Sequence, residues 1–495
     1  MSVKPQYETY RYVGEVCRLK SQSIVECRLS GSEISCILAV NAKAVPTECV
    51  CADGEVRYSG KILLNIVYED SERKICRAER GAEFFHKAEH GNVTPACFAK
   101  AAFTTENVSW RREGSGLYLA VVVDAALTVY GNKQMEYLVG GEDMIVKKDF
   151  LNLRKTLCVT GETEAEDEFE TDYVGDILLH SETASVSRVT ASAGQIDVEG
   201  EVNLNICVLK SDESVCSYER LIPFKMQVPC DEAFGKVSVC ARVDVRSAHL
   251  TAGVDEEKGT AKIVFAYCLA ADCYVCVEEE ISVAVDAFST REELLLETVN
   301  DGGRYLTNVE KCVERVSGEA VLSPALDGEY VLQAAVLPRA DMVCRKGERG
   351  LEAEGVVQAE VLLRGTDGSY RAANLSLPVI FPLDTDAEEA ELDCMVCGLN
   401  VRRKKNGETE AEATLKCVAR CYQNGVWEYI GEAKSGDEYP INDAAFSVYI
   451  PRAGEDLWQV SKRLVCDPEE LKKSNPDLQF PIREGERIFV YRQIK

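Results

Sequence analysis

Histidine is scarce in this chain, whose 495 residues contain only His86, His90, His180 and His249. His86 and His90 have the i, i+4 spacing of a helical metal pair, but the stretch FFHKAEHG around them has the pattern of a strand and a turn. No G-x-S-x-G, H-E-x-x-H, Walker-type or dinucleotide-binding glycine motif occurs. We therefore expect a protein that is not an enzyme and that needs no cofactor.

Positive charge is also limited, because 56 Lys and Arg residues stand against 83 Asp and Glu, a net charge of −27. A polyanion of this size repels phosphate backbones, so nucleic-acid binding is not expected. The most apolar stretch, AVVVDAALTVYG, is interrupted by Asp124 and is too short to span a membrane, which needs roughly 18 apolar residues. The first twenty residues have no apolar signal core, so we also expect no secretory signal.

Cysteine, in contrast, is abundant, with 22 residues. In a reducing compartment these are expected to be free thiols that behave as small apolar side chains, whereas in an assembly exposed to oxidants they would cross-link. The best candidate metal ligands are Cys394, Cys397, Cys417 and Cys421, since two close pairs of thiolates suit tetrahedral zinc. Both pairs fall in predicted strands, where residues i and i+3 point to opposite faces, so zinc is the less favoured interpretation.

Three segments align on a glycine, at Gly60, Gly200 and Gly355. Apolar and polar residues alternate through each segment, which predicts a long strand with one buried face. The predicted inward residues are Val56, Tyr58, Ile62, Leu64 and Ile66; Ile196, Val198, Val202, Leu204 and Ile206; and Leu351, Ala353, Val357, Ala359 and Val361. The central glycine suggests a bulge or bend.

Each of these strands is followed by a hairpin partner and then by two longer paired strands, and helical patterns are nearly absent before residue 446. The predicted fold is therefore mainly β, with three antiparallel β-sandwich or barrel-like repeat domains. Because the glycines are 140 and 155 residues apart, each repeat is a whole domain. The predicted boundaries are 1–157, which includes an N-terminal segment, then 158–300 and 301–443.

The C-terminal tail changes to a helical period and forms a separate predicted module over residues 446–492. A short strand at 448–450 is followed by a helix over 457–464, for which Asp456 is the expected cap. Asp467, followed by proline at the first helical position and glutamate at the capping-box position, predicts a second helix. A final strand at 487–492 completes a small βααβ domain.

This tail resembles a LysM domain. The residues that carry the resemblance are Gly454, Leu457, Trp458, Glu470, Leu471, Asn475, Pro476, Gly485, Ile488 and Val490. LysM domains typically bind N-acetylglucosamine-containing glycans such as peptidoglycan in a shallow groove between two loops. Carried over to this chain, that glycan- or partner-binding groove comprises Gly454, Glu455, Asp456, Leu457, Asn475, Pro476, Asp477, Leu478 and Ile482. The chain has Glu-Asp after Gly454, where the family usually has Asp followed by Thr or Ser, so either a glycan or a protein surface would fit the groove.

The three β segments resemble the SPOCS (spore coat-associated) domain of endospore-forming bacteria, through the strand pattern around the aligned glycines. SPOCS repeats followed by a C-terminal LysM domain are the layout of SipL/SpoVID-like spore coat morphogenetic proteins. The resemblance implies a non-enzymatic scaffold for assembly of the spore coat and envelope. It also implies a location in the mother-cell cytoplasm at the forespore surface, and partners that include the basement-layer ATPase of the coat and other coat proteins.

The alternative is a peptidoglycan-binding protein of the cell wall or cortex, in which the LysM domain holds the glycan and the β domains are spacers or adhesive modules. That alternative would require export. A LysM-anchored wall hydrolase is disfavoured, because no nucleophile–base constellation is recognisable in the sequence.

Overall fold

A computed structural model describes residues 3–29, 34–113, 116–171, 175–192, 194–233, 237–255, 260–325, 329–348, 350–404, 407–440, 446–483 and 485–491. Strands account for 81% of the described residues and helices for 3%, which confirms the mainly β prediction. All strand pairs in the described residues are antiparallel. Within these residues, no helix has the length and apolar character needed to cross a membrane.

The first segment folds into two three-stranded sheets. Its strands are β1 (Lys4–Leu29), β2 (Ile34–Ala52), β3 (Glu55–Asp70), β4 (Ile75–Glu89), β5 (Phe98–Glu113) and β6 (Gly116–Glu142). One sheet has the order β2-β3-β4, and the other has the order β1-β6-β5. The last strand of the segment, β6, thus returns to pair with the long opening strand, β1.

The second segment has the same strand order. Its strands are β7 (Ile145–Thr171), β8 (Gly175–Ser192), β9 (Gln195–Lys210), β10 (Val215–Pro229), β11 (Val237–Asp255) and β12 (Thr260–Phe288). The sheets are β10-β9-β8 and β11-β12-β7. The predicted boundary between residues 157 and 158 falls inside β7, a continuous strand that opens the second segment and belongs to its β11-β12-β7 sheet.

The third segment joins its two sheets into one. Its strands are β13 (Glu292–Ser323), β14 (Tyr330–Lys346), β15 (Leu351–Gly365), β16 (Tyr370–Pro382), β17 (Glu389–Arg403) and β18 (Thr409–Glu438). The order is β14-β15-β16-β13-β18-β17, because the end of β13 pairs with β16 over Val321–Ser323. The predicted boundary between residues 300 and 301 falls inside β13.

The strands that contain the aligned glycines are β3, β9 and β15. They are the central strands of β2-β3-β4, β8-β9-β10 and β14-β15-β16, which we call the inner sheets, and the other three strands of each segment form its outer sheet. All fifteen apolar residues predicted to face inward are buried, and all of them except Ala359 belong to three separate cores, one in each segment. A side chain could not replace Gly60 or Gly200, because an added Cβ would lie 2.6 Å from the ring of Phe84 or Phe224, respectively. The expected bulges occur beside these glycines, but the extra residue lies in the partner strand, next to Pro46 in β2 and Val186 in β8.

The three inner sheets meet in an apolar junction to which each segment contributes four buried residues. These are Leu38, Ala39, Val67 and Ile75; Leu178, Leu179, Cys207 and Val215; and Ala334, Val336, Leu362 and Tyr370. Val67, Cys207 and Leu362 each lie seven residues after an aligned glycine, so corresponding positions pack against one another. The strands β6, β12 and β18, the central strands of the outer sheets, each contribute buried residues to a second region in which the three segments contact one another.

Candidate functional site

The C-terminal tail consists of β19 (Phe446–Tyr449), α1 (Leu457–Leu464), α2 (Pro468–Ser474) and β20 (Ile488–Tyr491). Both helices begin where the sequence predicts, with Asp456 and Asp467 as their N-caps. The reciprocal capping box forms at α1, where the side chain of Asp456 accepts from the Gln459 amide and the Gln459 side chain accepts from the Asp456 amide. A small core of five buried residues holds the module together: Val460, Leu471, Ile482, Ile488 and Val490.

The two loops that were predicted to form the groove are adjacent. The Gly454 amide donates to the Ile482 carbonyl at 2.8 Å, and the Ile482 amide donates to the Glu455 carbonyl at 2.9 Å. Gly454 has φ of +91°, a left-handed conformation that favours glycine, and no atom lies within 4 Å of a Cβ added there. The loops are therefore tied together at their base, with open space above Gly454.

Glu455, one of the predicted groove residues, is directed into the module. Its side chain is only 8% exposed, pairs with Arg463 at 2.5 Å and accepts from the Arg452 amide at 3.0 Å. These contacts satisfy the carboxylate and neutralise its charge. Glu455 thus stabilises the loop that carries Gly454, and the groove is less acidic than the sequence suggests.

Asn475 also has a structural role. Its amide nitrogen donates to the Leu471 carbonyl at 2.9 Å and to the Phe489 carbonyl at 2.7 Å, and its Oδ1 accepts from the Phe489 amide at 2.7 Å. The buried side chain therefore links the end of α2 to β20, which explains why asparagine is required there.

The remaining predicted residues divide between the core and the surface. Ile482 is buried in the tail core, and Leu457 and Leu478 pack against it. Gly454, Pro476 and Asp477 are exposed, and Asp456 is partly exposed while it caps α1. The surface available to a ligand is thus smaller than the nine-residue set and carries one exposed carboxylate, that of Asp477.

Trp458 attaches the tail to the second β segment. Its Nε1 donates to Asp286 Oδ2 at 2.7 Å, its ring meets Phe288 edge-on at 5.1 Å, and Lys462 Nζ contacts Asp286 Oδ1 at 2.5 Å. The hydrogen bonds and charge of these partners hold the pKa of Asp286 below its usual range, although partial burial opposes them. Trp458, one of the residues that carry the LysM resemblance, thus lies between the tail and β12.

The four candidate zinc ligands do not converge. Cys394 Sγ lies 2.9 Å from Cys417 Sγ and Cys421 is buried in the same core, but Cys397 faces the second segment and accepts from Asn203 Nδ2 at 3.8 Å. Opposite orientation at i and i+3 is the expected property of a strand. Among the residues that the structure describes, no group of three or more His, Cys, Asp or Glu side chains is arranged to hold a metal ion.

A cleft of about 600 Å³ between the first and second segments, with residues of β14 from the third segment also in its lining, was not predicted. It is lined mainly by β2, β5, β8 and β11, all edge strands of their sheets. Lys43 pairs with Glu182 across it, and Lys100 Nζ lies 3.2 Å from Asp272 Oδ1. Its small side chains, many of them alanine, give no recognisable motif, because the cleft arises from the docking of separate segments.

A cavity of about 60 Å³ lies where all three segments meet at their outer sheets. Tyr130, Tyr274 and Tyr422 line it from corresponding strands, and burial raises the pKa of each phenol well above its usual range. Arg304 stacks on the ring of Tyr422 with its guanidinium carbon 3.2 Å from the centroid and pairs with Glu391 at 3.0 Å. The buried Arg304 is thus held between an aromatic ring and a partly exposed carboxylate, which is the arrangement of a structural ion pair.

No family model, curated protein or solved structure matches this chain.

Proposed function

We propose that this chain is a non-enzymatic scaffold for assembly of the spore coat and envelope, located in the mother-cell cytoplasm at the forespore surface. In this proposal its three β segments are SPOCS-type domains, its tail is a LysM domain, and together they tether the coat's basement-layer ATPase and other coat proteins. The common strand order of the segments and the equal share each takes in the apolar junction support their being copies of one unit.

The observation that carries the proposal is the attachment of the tail. Trp458 and Lys462 fix one side of α1 to Asp286, while Gly454, Pro476 and Asp477 remain exposed. A small module held against a large β body presents its loops to a partner without the entropy cost of ordering a free linker first. This arrangement suits a tether better than a catalyst.

The charge of the exposed groove residues bears on the nature of the partner. Within the predicted groove, Glu455 is neutralised by Arg463 and Asp456 caps α1, which leaves the exposed carboxylate of Asp477 beside the ring of Pro476. A carboxylate next to an apolar rim suits a basic or hydrogen-bond-donating protein surface. The open space above Gly454 favours the alternative ligand, an N-acetylglucosamine-containing glycan, which would make the protein a peptidoglycan binder of the wall or cortex.

Binding of the full-length protein to the basement-layer ATPase and to purified peptidoglycan tests these two functions. The test variant is Pro476→Ala combined with Asp477→Ala, and the control is Glu469→Ala, an exposed carboxylate in the first turn of α2, at the opposite end of that helix from Pro476. The tether predicts that the double variant binds the ATPase at least tenfold more weakly and that the control is unchanged. Binding of peptidoglycan alone, lost in the double variant, would support the alternative. Absence of binding to either ligand would refute both.

A further inference from the structure

Three cysteines lie side by side on adjacent strands of the third segment. In the strand register, Cys312 of β13 is directly opposite Cys417 of β18, and Cys417 is directly opposite Cys394 of β17. Directly opposed residues of antiparallel strands project from the same face of the sheet. Cys312, Cys417 and Cys394 therefore form a row of thiols, which we call the thiol ladder.

The three cysteines of the thiol ladder differ from the other cysteines of the chain in their strand register. In the pairings of the described strands, the three members of the ladder are the only cysteines that lie opposite another cysteine. Cys421, four residues further along β18, lies opposite Ala390 on one side and Asn308 on the other. The sequence pattern Cys394-x-x-Cys397 suggested a pair within one strand, but the close contact is between strands.

The distance between Cys394 and Cys417 suits bond formation. Cys394 Sγ donates to Cys417 Sγ at 2.9 Å, and a disulfide requires about 2.05 Å. Opposed antiparallel residues have Cα separations of about 4.5–5.5 Å, which lie within the range that disulfides span. Rotation of the two side chains therefore suffices, and the backbone need not move.

The ladder is accessible at its two ends. Cys394 and Cys312 are both half-buried, whereas Cys417 between them is 2% exposed and packs in the core of the segment. The hydrogen bond from Cys394 and burial raise the pKa of Cys417, and burial raises the pKa of Cys312 to about 12. Cys394 is the half-buried thiol whose Sγ lies 2.9 Å from Cys417, so an oxidant that reaches Cys394 finds Cys417 behind it as the resolving thiol.

We propose that Cys394 and Cys417 are an oxidative modification site, at which a peroxide forms a disulfide between β17 and β18. The peroxide oxidises the Cys394 thiol to a sulfenic acid and is itself reduced to water. The Cys417 sulfur then attacks the sulfenyl sulfur, the S–S bond forms, and a second water leaves with the Cys417 proton. The balance is two thiols and one hydrogen peroxide to one disulfide and two waters. This inference does not depend on the proposed function.

Cys312 adds an exchange step. Its thiolate can attack the Cys417 sulfur of the disulfide, which forms a bond between β13 and β18 and releases Cys394 as a thiolate, with no net oxidation. The oxidised ladder therefore contains one disulfide, either Cys394–Cys417 or Cys312–Cys417, and the third cysteine remains a thiol.

Peptide mapping of the intact protein tests the proposal, because trypsin separates the relevant cysteines. Cys417 lies in the tetrapeptide 417–420, Cys312 in the tetrapeptide 312–315, Cys421 in 421–434, and Cys394 together with Cys397 in 372–402. The reduced full-length protein is treated with a small excess of hydrogen peroxide, alkylated under denaturing conditions and digested. We expect loss of two of the 22 thiols and a cross-link between 417–420 and 372–402.

Two variants assign the partner within 372–402. Cys397→Ser should leave the cross-link intact, whereas Cys394→Ser should abolish it and yield a link between 312–315 and 417–420 instead. The proposal is overturned if Cys417 remains alkylatable in the wild-type protein while other cysteines oxidise, or if Cys397→Ser removes the link. The first outcome is read on the wild-type protein. Cys397→Ser is a nearly isosteric change at a buried residue, and the serine hydroxyl can still accept from Asn203 Nδ2 as the thiol does.

Discussion

Glu360 makes the stability of the three-segment junction depend on pH. It lies on β15, five residues after the aligned glycine, where the corresponding residues of the other segments are Asn65 and Asn205. Its Oε2 accepts from the Val40 amide of the first segment at 3.3 Å. Leu362, two residues further on the same face, is fully buried in the junction. A carboxylate therefore occupies a position that suits a neutral amide.

The size of the pH effect on stability follows from the raised pKa of Glu360. Burial raises the pKa of Glu360 from 4.5 to about 7, against smaller opposing contributions from the Val40 amide and Arg339. Between these two pH values the folded protein keeps a proton that the unfolded chain has released, so the free energy of unfolding falls as pH rises. The stabilisation is fully present below pH 4.5 and is lost by pH 8, with a total change of about 3 kcal/mol.

Glu360→Gln removes this dependence while it retains the shape of the side chain. We expect the variant to be more stable than wild type by about 1.5 kcal/mol at pH 5.5 and by about 3 kcal/mol at pH 8.5. Urea unfolding at these two pH values and at pH 7 measures the difference. Glu319→Gln, at an exposed position on β13, is the control and should leave the difference small at every pH. A Glu360→Gln difference that does not grow with pH would refute the reasoning.

Three other substitutions test the packing. Gly200→Ala places a Cβ 2.2 Å from the Ser185 carbonyl oxygen and should cost about 2–3 kcal/mol in thermal unfolding, whereas Gly253→Ala, with no atom closer than 4.0 Å, should change little; equal effects would contradict the packing argument. Asp286→Ala removes the acceptor for the tail's tryptophan and lysine, so amide hydrogen exchange in α1 should accelerate, and unchanged exchange would show that the tail is held elsewhere. Arg420→Met removes the hydrogen-bonded partner of the partly buried Asp393, so that only the charge of Arg242 still acts on it, and should cost about 2 kcal/mol, most of which Asp393→Leu in the same chain should restore; no recovery of the melting temperature would argue against the pair.

Local sequence patterns predict those parts of the fold that depend on near neighbours. The alternation around Gly60 and Gly200 correctly identifies the buried face of each strand, because side chains in a strand alternate with a period of two. Asp456 and Asp467 correctly mark the helix starts, because a capping carboxylate acts on amides two or three residues away. The two loops that carry most of the predicted groove residues are hydrogen-bonded to each other, and Glu455 and Asn475 make their contacts within the module itself.

The features that join distant parts of the chain could not be predicted. Val67 and Cys207 lie on faces that alternation assigns to solvent, yet they are buried, because a second segment about 140 residues away covers them. The contact of Cys394 with Cys417 depends on strand register, and a shift of one residue would reverse every side chain. Composition and periodicity thus determine that this protein is built from long antiparallel strands with a capped helical tail. Which faces meet, and which thiols and carboxylates come together between them, follows from the packing of the segments, whose contacts leave no periodic signal in the sequence.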